Sequence, residues 1–187
     1  PGRLAYGLAK IALRKGVKLF SNSPVHSIEQ GSPVNLKAAQ HQVKAKKVVI
    51  ASNIAADGQP HLKGLMVLVT SAVIATERIP ERLKEIGWTG GETVTDSQSR
   101  LNYYRTTRDG RIVYGMGIAD LSYKNRLTTK VLRNSEGIQE VIRNFHRVYP
   151  MLADVPIAYG WSGPIDRTYD GLPLIGQYRD CKDISYG

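Results

Sequence analysis

Residues Trp161 to Gly176 hold three glycines, two prolines, one Trp and two Asp in sixteen positions. No helix or strand period explains that density. Proline locks φ and removes a backbone donor, while glycine opens angles closed to other residues. The stretch is therefore expected to be a strand running into a rigid, turn-rich loop. At such a loop a ligand or another segment can approach the backbone closely.

The rest of the chain is that of an ordinary globular protein. Its 187 residues can bury a proper core, and 42% apolar and 22% charged content are typical. Lys and Arg exceed Asp and Glu by 26 to 16. These cations are scattered, and a short cluster such as Lys44-Ala45-Lys46-Lys47 sits in strand-like sequence. They read as a generally basic surface rather than a nucleic-acid footprint. The single cysteine, Cys181, rules out an internal disulfide framework and fits a reducing compartment. The mostly apolar run from Leu65 to Ala75 is too short for a membrane span, which needs about 20 residues. A cytoplasmic protein is the expectation. Because it opens on Pro1 rather than Met, the chain is expected to be a trimmed product or a piece of a longer reading frame.

Leu4, Leu8, Ile11 and Ala12 fall at helical spacing before Gly16. Strand-like sequence follows from Val17 to Phe20 and past Pro24 to Ile28, with Gly31-Ser32-Pro33 as a turn. Residues 34–46 suit one or two half-exposed strands, and Lys47 to Asn53 reads as a buried strand breaking at small residues. This opening looks like the second half of a nucleotide-binding α/β domain. Met66 to Thr76 is β-rich, and Pro80 to Ile86 is a short helix stopped by Gly87. A hairpin of Leu101 to Thr107 and Arg111 to Gly117 flanks Asp109-Gly110. Residues 135–149 form the strongest helix, with Ile138, Val141, Ile142, Phe145 and Tyr149 on one face. Ile157 to Ser162 is the last clear strand. The class is α+β, with a mixed, largely antiparallel sheet.

Few chemical motifs are present. No Gly-x-Gly-x-x-Gly turn occurs, and Gly115-Met116-Gly117 lacks the third glycine and ends a hairpin strand. There is no P-loop, no His-Glu-x-x-His, no Cys/His metal spacing and no Gly-x-Ser-x-Gly elbow. In Tyr103-Tyr104-Arg105, period 2 sends the tyrosines to opposite faces. At most one of them faces a pocket, with Arg105 on the other side. On spacing alone these residues, and Trp161, equally suit ordinary sheet packing.

Several segments in this order resemble the D-amino-acid-oxidase-like FAD-dependent oxidoreductases, the family with glycine oxidase, sarcosine oxidase and the γ-glutamylputrescine oxidoreductases. They are Pro1 to Leu4, Lys15 to Val25, Lys47 to Asn53, Ala75 to Pro80, Tyr103 to Gly115 and, most specifically, Trp161 to Gly176. The γ-glutamylputrescine branch is the nearest. The resemblance implies an incomplete FAD-binding segment at 1–55, a substrate-binding domain at 56–160, and a signature loop at 161–187 returning toward the FAD domain. It implies Val25, Ala51, Ser52, Asp170, Gly171, Pro173 and Gly176 on the cofactor side. Tyr103 or Tyr104, with Trp161, would line the substrate side.

In that family the flavin takes a hydride from the carbon bearing the amine, and no protein side chain is required as acid or base. Where glycine-oxidase-like members place a carboxylate-binding Arg, this chain has Ile165, which favours an amine substrate. The family's phosphate-holding glycine turn is missing, so the chain is expected to be an internal fragment, inactive alone and without FAD. The alternative is a non-catalytic binding module that dimerises through exposed sheet edges.

Overall fold

The computed structural model describes residues 2–117, 120–125 and 127–187. They cluster into two units, one of residues 1–50 with 175–187 and the other of residues 51–174.

The first unit opens with helix α1, Gly2–Arg14, which ends as expected before Gly16 at φ 85°. Strands β1 (Val25–Glu29), β2 (Val34–Ala38) and β3 (His41–Ala45) form an antiparallel sheet. Strand β4 (Val48–Ile50) runs parallel to the closing strand of the chain, Cys181–Tyr186, which pairs antiparallel with Gly176–Tyr178. Val34, Ile50, Tyr178 and Ile184 are buried, whereas α1 buries no side chain. Two expectations change here. Val17 to Phe20 forms no strand: Val17 N–H instead donates to Ala12 O at 3.0 Å, closing the helix, and Phe20 stays 77% exposed. The Lys47–Asn53 stretch is a strand only over Val48–Ile50, breaking before Ala51 as expected, and it is one-sided rather than buried, with Val49 72% exposed between half-buried Val48 and buried Ile50.

The second unit is built around β5, Met66–Thr76. Helix α2 (Pro80–Glu85) follows, with proline in its first turn and Gly87 at φ 72° beyond its end. Strands β6 (Thr93–Thr95), β7 (Asn102–Thr106), β8 (Ile112–Met116) and β9 (Asp120–Leu121) come next. The β7–β8 hairpin turns at Gly110, φ 79°. Helices α3 (Thr129–Arg133) and α4 (Ser135–Val148) lead to β10, Ile157–Thr168. The sheet order is β10-β5-β8-β7-β6, with β9 on β5, and all these pairings are antiparallel. In chain order the closing strands of the first unit are β11 (Gly176–Tyr178) and β12 (Cys181–Tyr186).

Strand β10 runs six residues past the expected Ser162. Proline inside a strand is tolerated at a sheet edge, where its missing N–H costs no ladder bond. Pro164 sits opposite Thr70 on such an edge strand. The Trp161–Gly176 stretch is thus strand through Thr168 and loop only beyond it.

Helix α4 seals one face of this sheet. Val141 and Phe145 are fully buried against Ala72, Ile74, Ile112 and Tyr114. Asn134 pins the helix start: its Oδ1 accepts from Gly137 N–H at 3.0 Å and its Nδ2 donates to Thr70 Oγ1 at 3.1 Å. Truncating Phe145 to Ala leaves a cavity in the middle of this face. It is expected to destabilise the chain by about 3–5 kcal/mol in urea unfolding. Leu172→Ala, at a side chain 65% exposed, is expected to change stability by less than about 0.5 kcal/mol.

Candidate functional site

Directly opposed residues of antiparallel strands point to the same side of a sheet. Trp161 faces Val73, Val73 faces Gly115, Gly115 faces Tyr103 and Tyr103 faces Thr95. These five make one row across the sheet on the side away from α4. Tyr159, Ala75, Val113, Arg105 and Thr93 make the next row on that side. Ile165, opposite Val69, continues it. This open face carries exposed apolar groups, with Trp161 at 45%, Tyr159 at 60% and Ile165 at 41%.

Tyr103 lies flat on this face because of what its neighbour lacks. A Cβ on Gly115 would fall 2.2 Å from the Tyr103 ring, so the ring occupies the space above Gly115. Its hydroxyl then reaches across β8 to Ser71 Oγ on β5, at 2.7 Å. Ser71 Oγ also donates to Met116 O at 3.3 Å. Tyr159 is held by the Arg111 guanidinium, 5.3 Å from its ring centroid. Arg111 in turn donates to Thr76 O at 2.7 Å and pairs with Glu77 at 3.3 Å.

Tyr104 is on the opposite side. Its ring stacks on Tyr114 with centroids 5.1 Å apart and meets Trp88 and Tyr149 edge-on at 5.8 and 5.5 Å. Burial pushes the Tyr114 phenol well above its ordinary range, and Tyr149 likewise. Arg105 departs from the expectation drawn from spacing. Two residues after Tyr103, it shares the Tyr103 face.

The residues that the resemblance placed on the cofactor side fall in both units. In the first, Val25 opens β1, half exposed, and Gly176 opens β11 opposite Tyr186. The Tyr186 hydroxyl would lie 2.6 Å from a Cβ on Gly176. In the second, exposed Ala51 and Ser52 precede a 3-10 turn, Asn53–Gly58. Asn53, at φ 53°, ties that turn to β10 by donating from Nδ2 to Asp166 Oδ1 at 2.8 Å. Asp170 Oδ1 accepts from Leu172 N–H at 3.0 Å across Gly171, φ 73°, and Pro173 is exposed beyond it. Within the second unit, Tyr103 and Trp161 share one row, whereas Tyr104 is separated from them by the sheet. Sequence spacing gives no sign of Ser71, Tyr159 or the Asn53–Asp166 pair, and shows Gly115 only as part of an incomplete glycine motif and at the end of a family-like segment. The one visible signal was a glycine on β8 facing a tyrosine on β7 across a readable hairpin.

This face offers a wall of Trp161, Val73 and Tyr159 for the apolar part of a small molecule. The paired hydroxyls of Tyr103 and Ser71 can donate to or accept from a polar group. Among the described residues no group of three or more His, Cys, Asp or Glu could hold a metal, and no described helix is long and apolar enough to cross a membrane.

Comparison with known proteins places these observations in a lineage. The sequence model of the DAO family, described as FAD dependent oxidoreductase, matches residues 1–185. A probable oxidoreductase OrdL of Haemophilus influenzae is 31% identical over 183 residues, covering 95% of this chain and 39% of that protein. The γ-glutamylputrescine oxidoreductase of Escherichia coli is 30% identical over 179 residues, covering 95% of this chain and 40% of its own length. The chain thus spans well under half the length of these relatives. Among solved structures, glycine oxidase from Geobacillus kaustophilus superposes with a TM-score of 0.75 at 21% identity, over 98% of this chain and 46% of that one. L-proline dehydrogenase from P. horikoshii gives 0.75 at 22%, over 95% and 46%. At these identities the structures share the fold.

The Gly115–Tyr103 contact predicts a sign that a double-mutant cycle reads. Gly115→Ala is expected to cost more than about 1 kcal/mol in urea unfolding, because the new methyl meets the Tyr103 ring. In a Tyr103→Ala background the same change is expected to cost much less. Equal costs in the two backgrounds would show that the ring does not rest on Gly115.

Proposed function

The chain belongs to the DAO family of FAD-dependent oxidoreductases, and on that premise we propose that it is the middle portion of an enzyme that oxidises the C–N bond of an amine. The unit of residues 51–174 is its substrate side. The observation that carries this reading is the open sheet face, where Trp161, Tyr159 and the Tyr103–Ser71 hydroxyl pair converge on one surface. One relative, 30% identical, supports an amine, being a γ-glutamylputrescine oxidoreductase. The side chain at 165 supports the same choice, since isoleucine cannot ion-pair with a substrate carboxylate. Tyr103 rather than Tyr104 is the tyrosine assigned to the substrate, with Trp161 beside it.

FAD is the cofactor of the family, and its pyrophosphate does not fit the residues present here. A pyrophosphate is held by free backbone N–H groups at a glycine turn entering a helix. The sequence has no such glycine turn. At the start of α4 the Gly137 N–H is already taken by Asn134, whose Nδ2 would lie 2.5 Å from a Cβ on Gly137. Asp170 is committed to Leu172 N–H, and the space over Gly176 is filled by Tyr186. This chain alone is therefore proposed to bind FAD weakly or not at all, and to be inactive alone.

A second reading is a stand-alone, non-catalytic module that dimerises. It is favoured by the uncovered apolar face of α1, where Leu4 is 69% and Leu8 56% exposed, and by the position of β10 at the end of the strand order. A strictly monomeric chain in light scattering counts against it.

The purified chain is expected to be colourless and to give no saturable fluorescence quenching with micromolar FAD. A yellow protein with a flavin band contradicts that expectation. When the chain replaces the matching portion of the E. coli relative and FAD is bound, primary amines are expected to bleach the flavin in the absence of air. Bound flavin that stays oxidised with every amine tried would overturn the assignment of function.

A further inference from the structure

On the side of the sheet covered by α4, an open cavity of about 300 Å³ lies where the helix meets the segment leading into β7. Three arginines line it: Arg100 before β7, and Arg143 and Arg147 one turn apart on α4. Glu140 is the one acidic side chain in the lining, and it is already bound to Arg100 at 2.6 Å. Three positive charges against one negative leave a net charge of +2 on the walls. Arg143 also lines an adjoining recess with Glu136, but forms no ion pair or hydrogen bond among the described residues. Like charges one helical turn apart repel one another. Among the described residues neither arginine of this pair forms an ion pair with a carboxylate.

The cavity is also built from behind. Buried Asn144 uses its Oδ1 to accept from Arg147 Nη2 at 2.6 Å and from Nε at 3.2 Å. Its Nδ2 donates to the Tyr114 hydroxyl at 2.9 Å and to Asn102 Oδ1. Gln98 Oε1 accepts a further, longer bond from Arg147 at 3.5 Å. Asp96, next to this wall, has its oxygens engaged by Asn102 and Gln98. Desolvation opposes its charge, yet these bonds hold its carboxyl below the usual range. The network fixes the Arg147 guanidinium before any ligand arrives, which reduces the entropy lost on binding. Its Nε–H and both Nη2–H donors are spent on Asn144 and Gln98, which leaves the two Nη1–H groups to donate to a carboxylate or phosphate oxygen.

We propose that this cavity binds a compact oxygen-bearing dianion, either a phosphate monoester or a small dicarboxylate. Arg143 and Arg147 are its principal ligands, and Glu140 sets its strength by competing for Arg100. The site is on the opposite side of the sheet from Tyr103 and Trp161, and its existence does not depend on the amine-oxidation reading.

The test is calorimetric titration of the chain with inorganic phosphate and, separately, with succinate, at constant ionic strength in chloride. At least one probe is expected to bind saturably, and the arm that binds tells which source the site prefers. Arg143→Gln is expected to weaken that binding about tenfold, and with no described bond to lose it leaves the fold intact. Glu140→Gln is expected to strengthen it several-fold by releasing Arg100. General damage to the protein would not produce tightening. Absence of binding by both probes to the folded chain overturns the proposal. So does an Arg143→Gln protein that binds as tightly as the original, or a Glu140→Gln protein that binds no more tightly.

Discussion

The second unit depends on how one side of β5 is buried. Ala72 and Ile74 project from that strand into a layer with Tyr114, Val141 and Phe145, all fully buried. Burying such side chains contributes on the order of 1.5–3 kcal/mol each, and alternation along each strand settles the rest. Once the even-numbered residues of β5 face α4, the odd-numbered ones must face away. Ser71 and Val73 are then committed to the open side, together with every residue paired to them. Position on the face that holds the candidate site is thus a consequence of packing on the other.

That dependence explains which residues can serve a ligand. Tyr103 and Tyr104 are adjacent in sequence and chemically identical, yet one lies over Gly115 and the other is stacked on Tyr114. Nothing in side-chain chemistry separates them; register does. The same logic places Arg105 with Tyr103, and Asn102 with the buried network that reaches Asn144 and Arg147. A single hairpin therefore supplies the Tyr103 hydroxyl to one side of the sheet and, through Asn102, part of the hydrogen-bonded support of Arg147 to the other.

Much of this was legible in the sequence, for physical reasons. Helix α4 announces itself by the spacing of Val141 and Phe145, and the β7–β8 hairpin by Asp109-Gly110, because local geometry dictates both. What was not legible depends on distant partners. Val17 to Phe20 has strand composition, but a strand needs a neighbour, and the backbone there closes the helix instead. Residues 163–168 looked like a loop because of Gly163 and Pro164, yet β5 offers a long partner and the edge position forgives the proline. The Tyr103–Ser71 bond joins residues 32 positions apart, and only strand order brings them together. The family resemblance was legible because the Gly and Pro positions of Trp161–Gly176 are read directly from the chain. The division of that segment between strand and loop was not.

The claim underlying all of this is that the sheet of the second unit has one sealed face and one open one. Hydroxyl-radical footprinting of the folded chain, read residue by residue, measures it directly. Trp161 and Tyr159 should be labelled many-fold faster than Tyr114 and Phe145, whose side chains are fully buried. Labelling of Tyr114 or Phe145 at the rate of Trp161 would contradict the account.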